Sequence, residues 1–368
     1  MVRRRLRERA DNKTSACRNL HVLHRSRPHY LNIYVSREHR LLYCGVEKVG
    51  SSFWKRAFKV MNKPVSKRLG IFDMTSMSAH VDIPNSMKLT NYTKEEQMEM
   101  LRTFQTFMFT RDPFSHLFSA WLDKFFLPST IAAHNIATIR RLYVGHAYRK
   151  GLVIDVHLTA IHKHCDLCNI NYTLIGKMET FMQDSRSREI LSLVGLEMRN
   201  ISGAGARDLV RANEVKVMSD IISRTYGFLT SSPFICMPMY EGLRRLWTVF
   251  QAQGYISRHI PYPKHLHNHT HIPENEFKTA AFRAYDDSGP PEVRHQQREE
   301  AMFEAYSTVS SDTISLLETV FEPDCLMFGY SCNLTEKLIK RKFTDPVYFA
   351  GFDWQPVNGR KSTAKKDY

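Results

Sequence analysis

Lys48 stands at the centre of Leu41-Leu42-Tyr43-Cys44-Gly45-Val46-Glu47-Lys48-Val49-Gly50-Ser51-Ser52-Phe53-Trp54-Lys55-Arg56, a stretch whose residue types suit the binding of an anion. It begins as a short apolar run and passes through a small-residue turn. Phe53, Trp54, Ala57, Phe58 and Met61 then recur at three- and four-residue intervals, which predicts a helix with one buried face. A strand, a glycine turn and a helix N-terminus in that order present unpaired backbone N–H groups, and the helix dipole adds positive potential. Lys48 contributes a mobile cation, and Ser51 and Ser52 contribute hydroxyl donors. A nucleotide P-loop requires Gly, four residues, then Gly-Lys-Ser/Thr. Gly45 and Gly50 keep that separation, but the lysine precedes the second glycine, so the geometry is related and the motif is different. Taken alone, the stretch also reads as an ordinary strand–turn–helix.

A second stretch, Phe104-Gln105-Thr106-Phe107-Met108-Phe109-Thr110-Arg111-Asp112-Pro113-Phe114-Ser115-His116-Leu117-Phe118-Ser119-Ala120-Trp121, repeats the pattern. Its aromatic-rich start fits a buried strand ending at Thr110. Asp112 suits a helix cap and Pro113 a first helical turn. Phe114, Leu117, Phe118, Trp121, Leu122 and Phe125 make an apolar stripe, with Ser119 off it, on the face of His116 and Asp123. Arg111 falls at the carboxyl end of a strand, where open α/β sheets hold their ligands. A lone arginine there is commonly an ion-pair partner; together with the Lys48 loop it reads as a second phosphate contact.

The elements that position these groups belong to a chain of 368 residues, 43% hydrophobic and 11% aromatic, enough for one large α/β domain or two small ones. A formal charge of +15 points to an acidic partner. Nucleic-acid binding would rest on that charge alone and is not expected. No apolar run approaches the roughly 18 residues that cross a bilayer. Met1 to Arg7 is basic without a following apolar core, so it is not a signal peptide as written. Asn-X-Ser/Thr sequons at Asn12, Asn91, Asn171, Asn200, Asn268 and Asn333 lean the other way, toward a secretory compartment. Seven cysteines leave at least one unpaired if the others bridge.

Along the chain, residues 1–28 read as a mobile basic segment, with Cys17 hinting at a tether. Tyr30 to Val46 reads as two strands joined at Ser36-Arg37-Glu38-His39, and Thr93-Lys94-Glu95-Glu96 is a capping box. Residues 286–300, with Gly289-Pro290-Pro291, read as an exposed loop, and residues 335–368 as a flexible basic tail. His162, His164, Cys165 and Cys168 offer four potential zinc ligands, crowded by the standard of a zinc finger. His265, His267, His269 and His271 alternate, a pattern more often a solvated loop than a site.

Both key stretches resemble the Golgi carbohydrate sulfotransferases that act on chondroitin, dermatan and related glycans. The donor loop of that family reads Tyr-Cys-x-x-Pro-Lys-Val-Gly/Ala-Cys-Thr-Asn-Trp-Lys-Arg, and its second motif Phe-x-Arg-Asp/Glu-Pro-Phe-x-x-Leu-x-Ser-Ala-Tyr. Cys165-Asp166-Leu167-Cys168 with Tyr172 through Thr180, and Pro323 through Tyr330, are similar to two further family motifs in the same order. The resemblance implies a single P-loop-kinase-like α/β domain over residues 29–334, with a central, mainly parallel sheet flanked by helices. It implies transfer of a sulfuryl group from 3′-phosphoadenosine 5′-phosphosulfate to a glycan hydroxyl, without a metal. Lys48, Val49, Gly50, Ser51 and Ser52 would hold the 5′-phosphosulfate, with Lys48 on the leaving oxygen, and Arg111 and Ser119 the 3′-phosphate. His80, within Ala79-His80-Val81, would be the base, with His157 as the other candidate. Cys165 and Cys168 would enter disulfides, and a type II N-terminal anchor would hold the protein in the Golgi lumen. Glu47 departs from the family's proline, and Ser51-Ser52-Phe53 from its Cys-Thr-Asn. Glu47 beside a phosphate site motivates an alternative, a homologue that binds glycan or nucleotide without turnover, unless its side chain faces solvent or pairs with Lys55 or Arg56.

Overall fold

The computed structural model describes residues 2–19, 30–62, 71, 74–75, 77–131, 155–180, 204–231, 237–267, 269–341, 347–350 and 352. The chain divides into two compact units, one of Met1–Ala120, Val153–Asp220 and Ser310–Lys340, the other of Trp121–Leu152, Ile221–Val309 and Arg341–Tyr368.

The first unit carries the expected α/β core. Its sheet has the order β1-β2-β3-β4, from Ile33–Ser36 (β1), Leu41–Cys44 (β2), Gln105–Thr110 (β3) and Leu174–Lys177 (β4). β1 and β2 are an antiparallel pair, whereas β2, β3 and β4 run parallel, with Tyr43 opposite Phe107 and Phe109 opposite Gly176. Parallel strands bring their carboxyl ends to one edge of the sheet. Residues 45–52, 111–112 and 178–180 therefore emerge side by side.

The helices begin where the local chemistry predicts. Ser51–Met61 (α2) follows β2 and buries Trp54, Ala57, Phe58 and Met61. Trp54 lies 4.9 Å from the Phe107 ring and 5.3 Å from that of Phe109, and Tyr43 lies 5.1 Å from Phe107. Each such large side chain contributes about 1.5–3 kcal/mol by leaving water. Lys94–Thr103 (α3) opens with the capping box, Glu96 N–H donating to Thr93 Oγ1 and Thr93 N–H to Glu96 Oε2. Pro113–Trp121 (α4) is capped by Asp112, whose Oδ1 accepts from Ser115 N–H at 2.8 Å.

Val2–Asn19 (α1) departs from the mobile segment expected there. Leu6, Ala10, Lys13 and Cys17 form its buried stripe, and it packs against β4 and Ser311–Phe328 (α5). Lys13 Nζ donates to the carbonyls of Leu167 and Ile170, and Cys17 is bonded to Cys168. Cys44, the last residue of β2, is bonded to Cys165, and Cys325 to Cys332. Cys165 and Cys168 are thus both in disulfides. Asp324, fully buried on α5, accepts from Ile161 N–H, His162 N–H and His162 Nδ1. Leu334–Lys340 is also helical, within a region expected to be a flexible tail.

In the second unit, Met239–Ala252, Glu274–Asp286 and Pro291–Ser307 are helices. Residues 291–300 are therefore helical, not loop: Pro291 stands in the first turn, where its missing N–H costs nothing. Glu304 accepts from the N–H groups of Val347, Tyr348 and Phe349 at 2.8, 2.9 and 2.7 Å. Tyr348 and Phe352 are buried, and the Arg244 guanidinium lies 4.1 Å from the Phe352 ring. This part of the expected tail is docked, because a buried carboxylate satisfies three successive amides. His265, His267, His269 and His271 are all exposed. Among the described residues, no helix is long and apolar enough to cross a membrane, and no group of three or more His, Cys, Asp or Glu is arranged to hold a metal ion.

Candidate functional site

The loop between β2 and α2 is built on two tight points. A Cβ on Gly45 would lie 2.6 Å from Tyr34 Cε2, so the chain passes Tyr34 only as glycine. Gly50 caps α2 at φ 83°, a left-handed conformation glycine adopts without strain. Lys48 is also left-handed, at φ 62°, which costs a non-glycine residue about 1 kcal/mol. Val49 between them is fully buried and pins the loop to the core. Ser51 and Ser52 open α2, so their N–H groups have no partner within the helix.

Contacts from the second motif hold the loop from behind. His116 Nε2 donates to the Glu47 carbonyl at 3.0 Å, and Arg111 Nη1 to the Lys48 carbonyl at 3.4 Å. Burial pushes the His116 pKa down to about 3, so the ring is neutral and holds its Nε2 proton for that bond. In a trans peptide, C=O and the next N–H point to opposite edges of one plane. With the carbonyls of Glu47 and Lys48 turned toward Arg111 and His116, the N–H groups of Lys48 and Val49 face the other way. That side of the loop leads into the N-terminus of α2, whose first N–H groups have no partner within the helix and suit an anion.

The Glu47 carboxylate does not oppose that surface. Lys55 Nζ meets Oε1 at 2.6 Å and Ser51 Oγ donates to Oε2 at 2.9 Å. The two side chains are 4% (Lys55) and 13% (Glu47) exposed. Burial works to raise the Glu47 pKa, but the charge and hydrogen bond of Lys55, the Ser51 hydroxyl and the charge of His157 outweigh it and hold the group below the usual carboxylate range. Of the partners open to it, Glu47 takes Lys55; Arg56 instead donates to the carbonyls of Ser52 and Met74.

The remaining predicted residues fall at different depths. His80 is exposed, and its Nε2 lies 3.0 Å from Ser52 Oγ. It is held there by Ala79, which is buried, and by Lys59, whose Nζ donates to the carbonyls of Ser78 and Val81. Arg111 is half-buried against the loop. Ser119 is half-buried one turn beyond His116 on α4, and among the described contacts it makes none with Lys48 or Arg111. His157 is paired through Nδ1 with Asp155 Oδ1 at 2.5 Å. The geometry thus joins Lys48 to Arg111 and Ser52 to His80.

Sequence reasoning missed the supports. Glu179 Oε1 accepts from Asp112 N–H at 2.8 Å and Oε2 from Tyr330 O–H at 3.0 Å, tying the two later motifs to the start of α4. Burial and the nearby Glu179 carboxylate push the Tyr330 pKa well up, so it stays a donor. Lys177 Nζ sits 3.9 Å from the centre of the Tyr330 ring. Both Glu179 and Tyr330 lie in the quoted motifs, which was the available signal; His116 and Lys55 carried none beyond their neighbourhood.

The family profile described as "Sulfotransferase family" matches residues 31–214, half of the chain. Carbohydrate sulfotransferase 11 of Mus musculus is 29% identical over 219 residues, which is 51% of this chain and 61% of that protein. Carbohydrate sulfotransferase 9 of Homo sapiens is 29% identical over 177 residues, 42% of this chain and 39% of that protein. Carbohydrate sulfotransferase 8 of Homo sapiens is 29% identical over 181 residues, 43% and 42% of the two chains. The matched region spans about three-fifths or less of the length of these relatives. No solved structure matches the chain.

Proposed function

The chain belongs to the sulfotransferase family, and from this premise we propose that it transfers a sulfuryl group from 3′-phosphoadenosine 5′-phosphosulfate to a hydroxyl of an anionic glycan. The observation that carries the reading is the Lys48 loop, with the Glu47 and Lys48 carbonyls turned back onto His116 and Arg111 and the N-terminus of α2 opening at Ser51. In this reading the loop from Lys48 to Ser52 holds the 5′-phosphosulfate. Arg111 and Ser119 take the 3′-phosphate.

The acceptor oxygen attacks sulfur in line. A new S–O bond forms as the S–O bond to the donor phosphate breaks, and the acceptor proton passes to His80 Nε2. Negative charge grows on the departing phosphate oxygen, where Lys48 and the fixed N–H groups lower its energy. The contact between His80 and Ser52 supports His80 as the base, since it brings an imidazole onto the loop that would carry the sulfuryl group. The basic surface suits a chondroitin- or dermatan-like chain or an acidic N-glycan. A Golgi-lumenal location, as a type II membrane protein, is part of the same proposal. Three disulfides and the exposed sequon residues Asn12, Asn91, Asn171 and Asn333 support it.

Calorimetric titration with adenosine 3′,5′-bisphosphate tests the reading, alongside a transfer assay on desulfated chondroitin. Wild type is expected to bind, and Lys48→Ala and Arg111→Ala each to weaken binding by about 100-fold. His80→Ala is expected to keep nucleotide binding and lose at least about 100-fold in transfer rate. Folded wild type that binds nucleotide without transfer to any glycan would favour the non-catalytic homologue; no binding at all would remove the donor site.

A further inference from the structure

Glu47 is the one carboxylate inside the loop assigned to the donor, and both its side chain and its carbonyl are held. Lys55 and Ser51, one turn apart at the start of α2, grip its two oxygens. Its own carbonyl is gripped by His116. Lys55 Nζ also lies 5.5 Å from the centre of the Tyr34 ring, and the charge of His157 favours the ionised carboxylate. The side chain therefore lies on the α2 side of the loop while its backbone is held from α4. Residue 47 is fixed at both ends.

We propose that Glu47 is a positioning residue for the donor loop, locked by Lys55 so that the left-handed turn at Lys48 persists before the donor arrives. The proposal rests on the donor-site reading above. A non-glycine residue at φ 62° reverts to a commoner conformation unless its neighbours over-determine it. The Glu47 side-chain clamp and the His116 and Arg111 bonds over-determine it on three sides. The lock also removes a repulsion. Glu47 and Lys55 cancel each other's charge at 2.6 Å, so the loop's positive field at Lys48 reaches the ligand undiminished. Without Lys55, the carboxylate keeps its charge in a poorly hydrated place and turns toward the nearest positive field, which is the donor site itself.

The two halves of the lock therefore differ in what their loss does. Lys55→Met leaves a charge competing with the donor, whereas Glu47→Gln removes the charge and keeps a hydrogen-bonding side chain. Removing both restores neutrality.

The test measures adenosine 3′,5′-bisphosphate affinity, donor KM and kcat in the full chain for wild type, Glu47→Gln, Lys55→Met, Lys55→Arg and the Glu47→Gln/Lys55→Met double variant. Far-UV circular dichroism and a thermal melt confirm folding, and Lys48→Ala serves as the binding-null control. Lys55→Met is expected to weaken nucleotide binding and raise donor KM by about tenfold or more, with kcat at saturating donor changed less. Glu47→Gln should cost about threefold, and the double variant should recover to within about threefold of wild type. Lys55→Arg should rescue to a similar level. Lys55→Met is expected to lower the melting temperature in either case; a purely structural role would lower it and the active fraction while leaving donor KM and nucleotide affinity untouched, and would overturn the proposal. Affinities within about twofold of wild type in both folded single variants would overturn it too, with the donor site intact. If Lys55→Met does not fold, Glu47→Gln and the double variant carry the same comparison. Folded wild type that binds no nucleotide defeats the donor-site reading and this proposal together.

Discussion

Among the described residues of the first unit two lysines are buried, and they are buried differently. Lys55, 4% exposed, faces the Glu47 carboxylate beneath the Lys48 loop. Lys13, 2% exposed, faces the carbonyls of Leu167 and Ile170 and the Tyr172 ring, and among the described residues it has no carboxylate partner. Carbonyl dipoles compensate a buried ammonium only in part, and burial pulls the Lys13 pKa down to about 8. One lysine belongs to a charge pair whose members fail separately. The other is a polar tether that fastens α1 to the segment carrying Cys165 and Cys168. The difference separates a device that shapes a site from one that fastens an element.

The sharpest test of that contrast is stability. Lys55→Met strands the Glu47 charge and should cost about 3 kcal/mol in urea unfolding at pH 7, with Glu47→Gln costing less. Equal costs would break the comparison. Next in size is the acid limb. His116 has a folded pKa of about 3, below its ordinary value, so under pH 6.5 the unfolded chain takes up a proton that the folded chain refuses. Stability should fall between pH 6.5 and 4.5 with a slope approaching about 1.4 kcal/mol per pH unit from this residue, and His116→Asn should remove that share of the slope. The smallest effect belongs to the tether. Lys13→Met should change stability by less than about 1.5 kcal/mol at pH 7, because the lost hydrogen bonds and the relieved desolvation offset each other. Between pH 8 and 10 the folded chain has released the Lys13 proton that the unfolded chain keeps, so wild-type stability should gain with pH and the variant should not. A gain of the same size in Lys13→Met would assign the slope to another group.

What could be read from the sequence was local. The capping box at Thr93, the Asp112 cap and the glycine turn before α2 are each decided within a few residues, and each stands where it was expected. The order of strand, loop and helix followed from them. What could not be read depends on partners far along the chain. His116 reaches Glu47 across 69 positions, and Asp324 reaches Ile161 across 163. The helix α1 was obscured by its charge: Leu6, Ala10 and Cys17 keep helical spacing, but the fourth member of the stripe is Lys13, which pattern reading assigns to water. Pro291 carried a usable signal, since proline in a first turn opens helices, yet the Gly289-Pro290 before it pointed to a loop. Of the candidate site, the residue types were legible and the backs of the loop were not.

The nested disulfides set a problem of timing. Cys17 and Cys44 are synthesised first, and their partners Cys168 and Cys165 follow 151 and 121 residues later. At ribosomal speed the nearer partner arrives roughly 6 to 24 seconds after Cys44, estimated from its separation of 121 residues. Between residues 17 and 164, Cys17 and Cys44 are the only two cysteines. A Cys17–Cys44 bond formed on the nascent chain would hold β2 to the wrong neighbour, and the strand that leads into the Lys48 loop would wait on a disulfide isomerase before it could join its sheet.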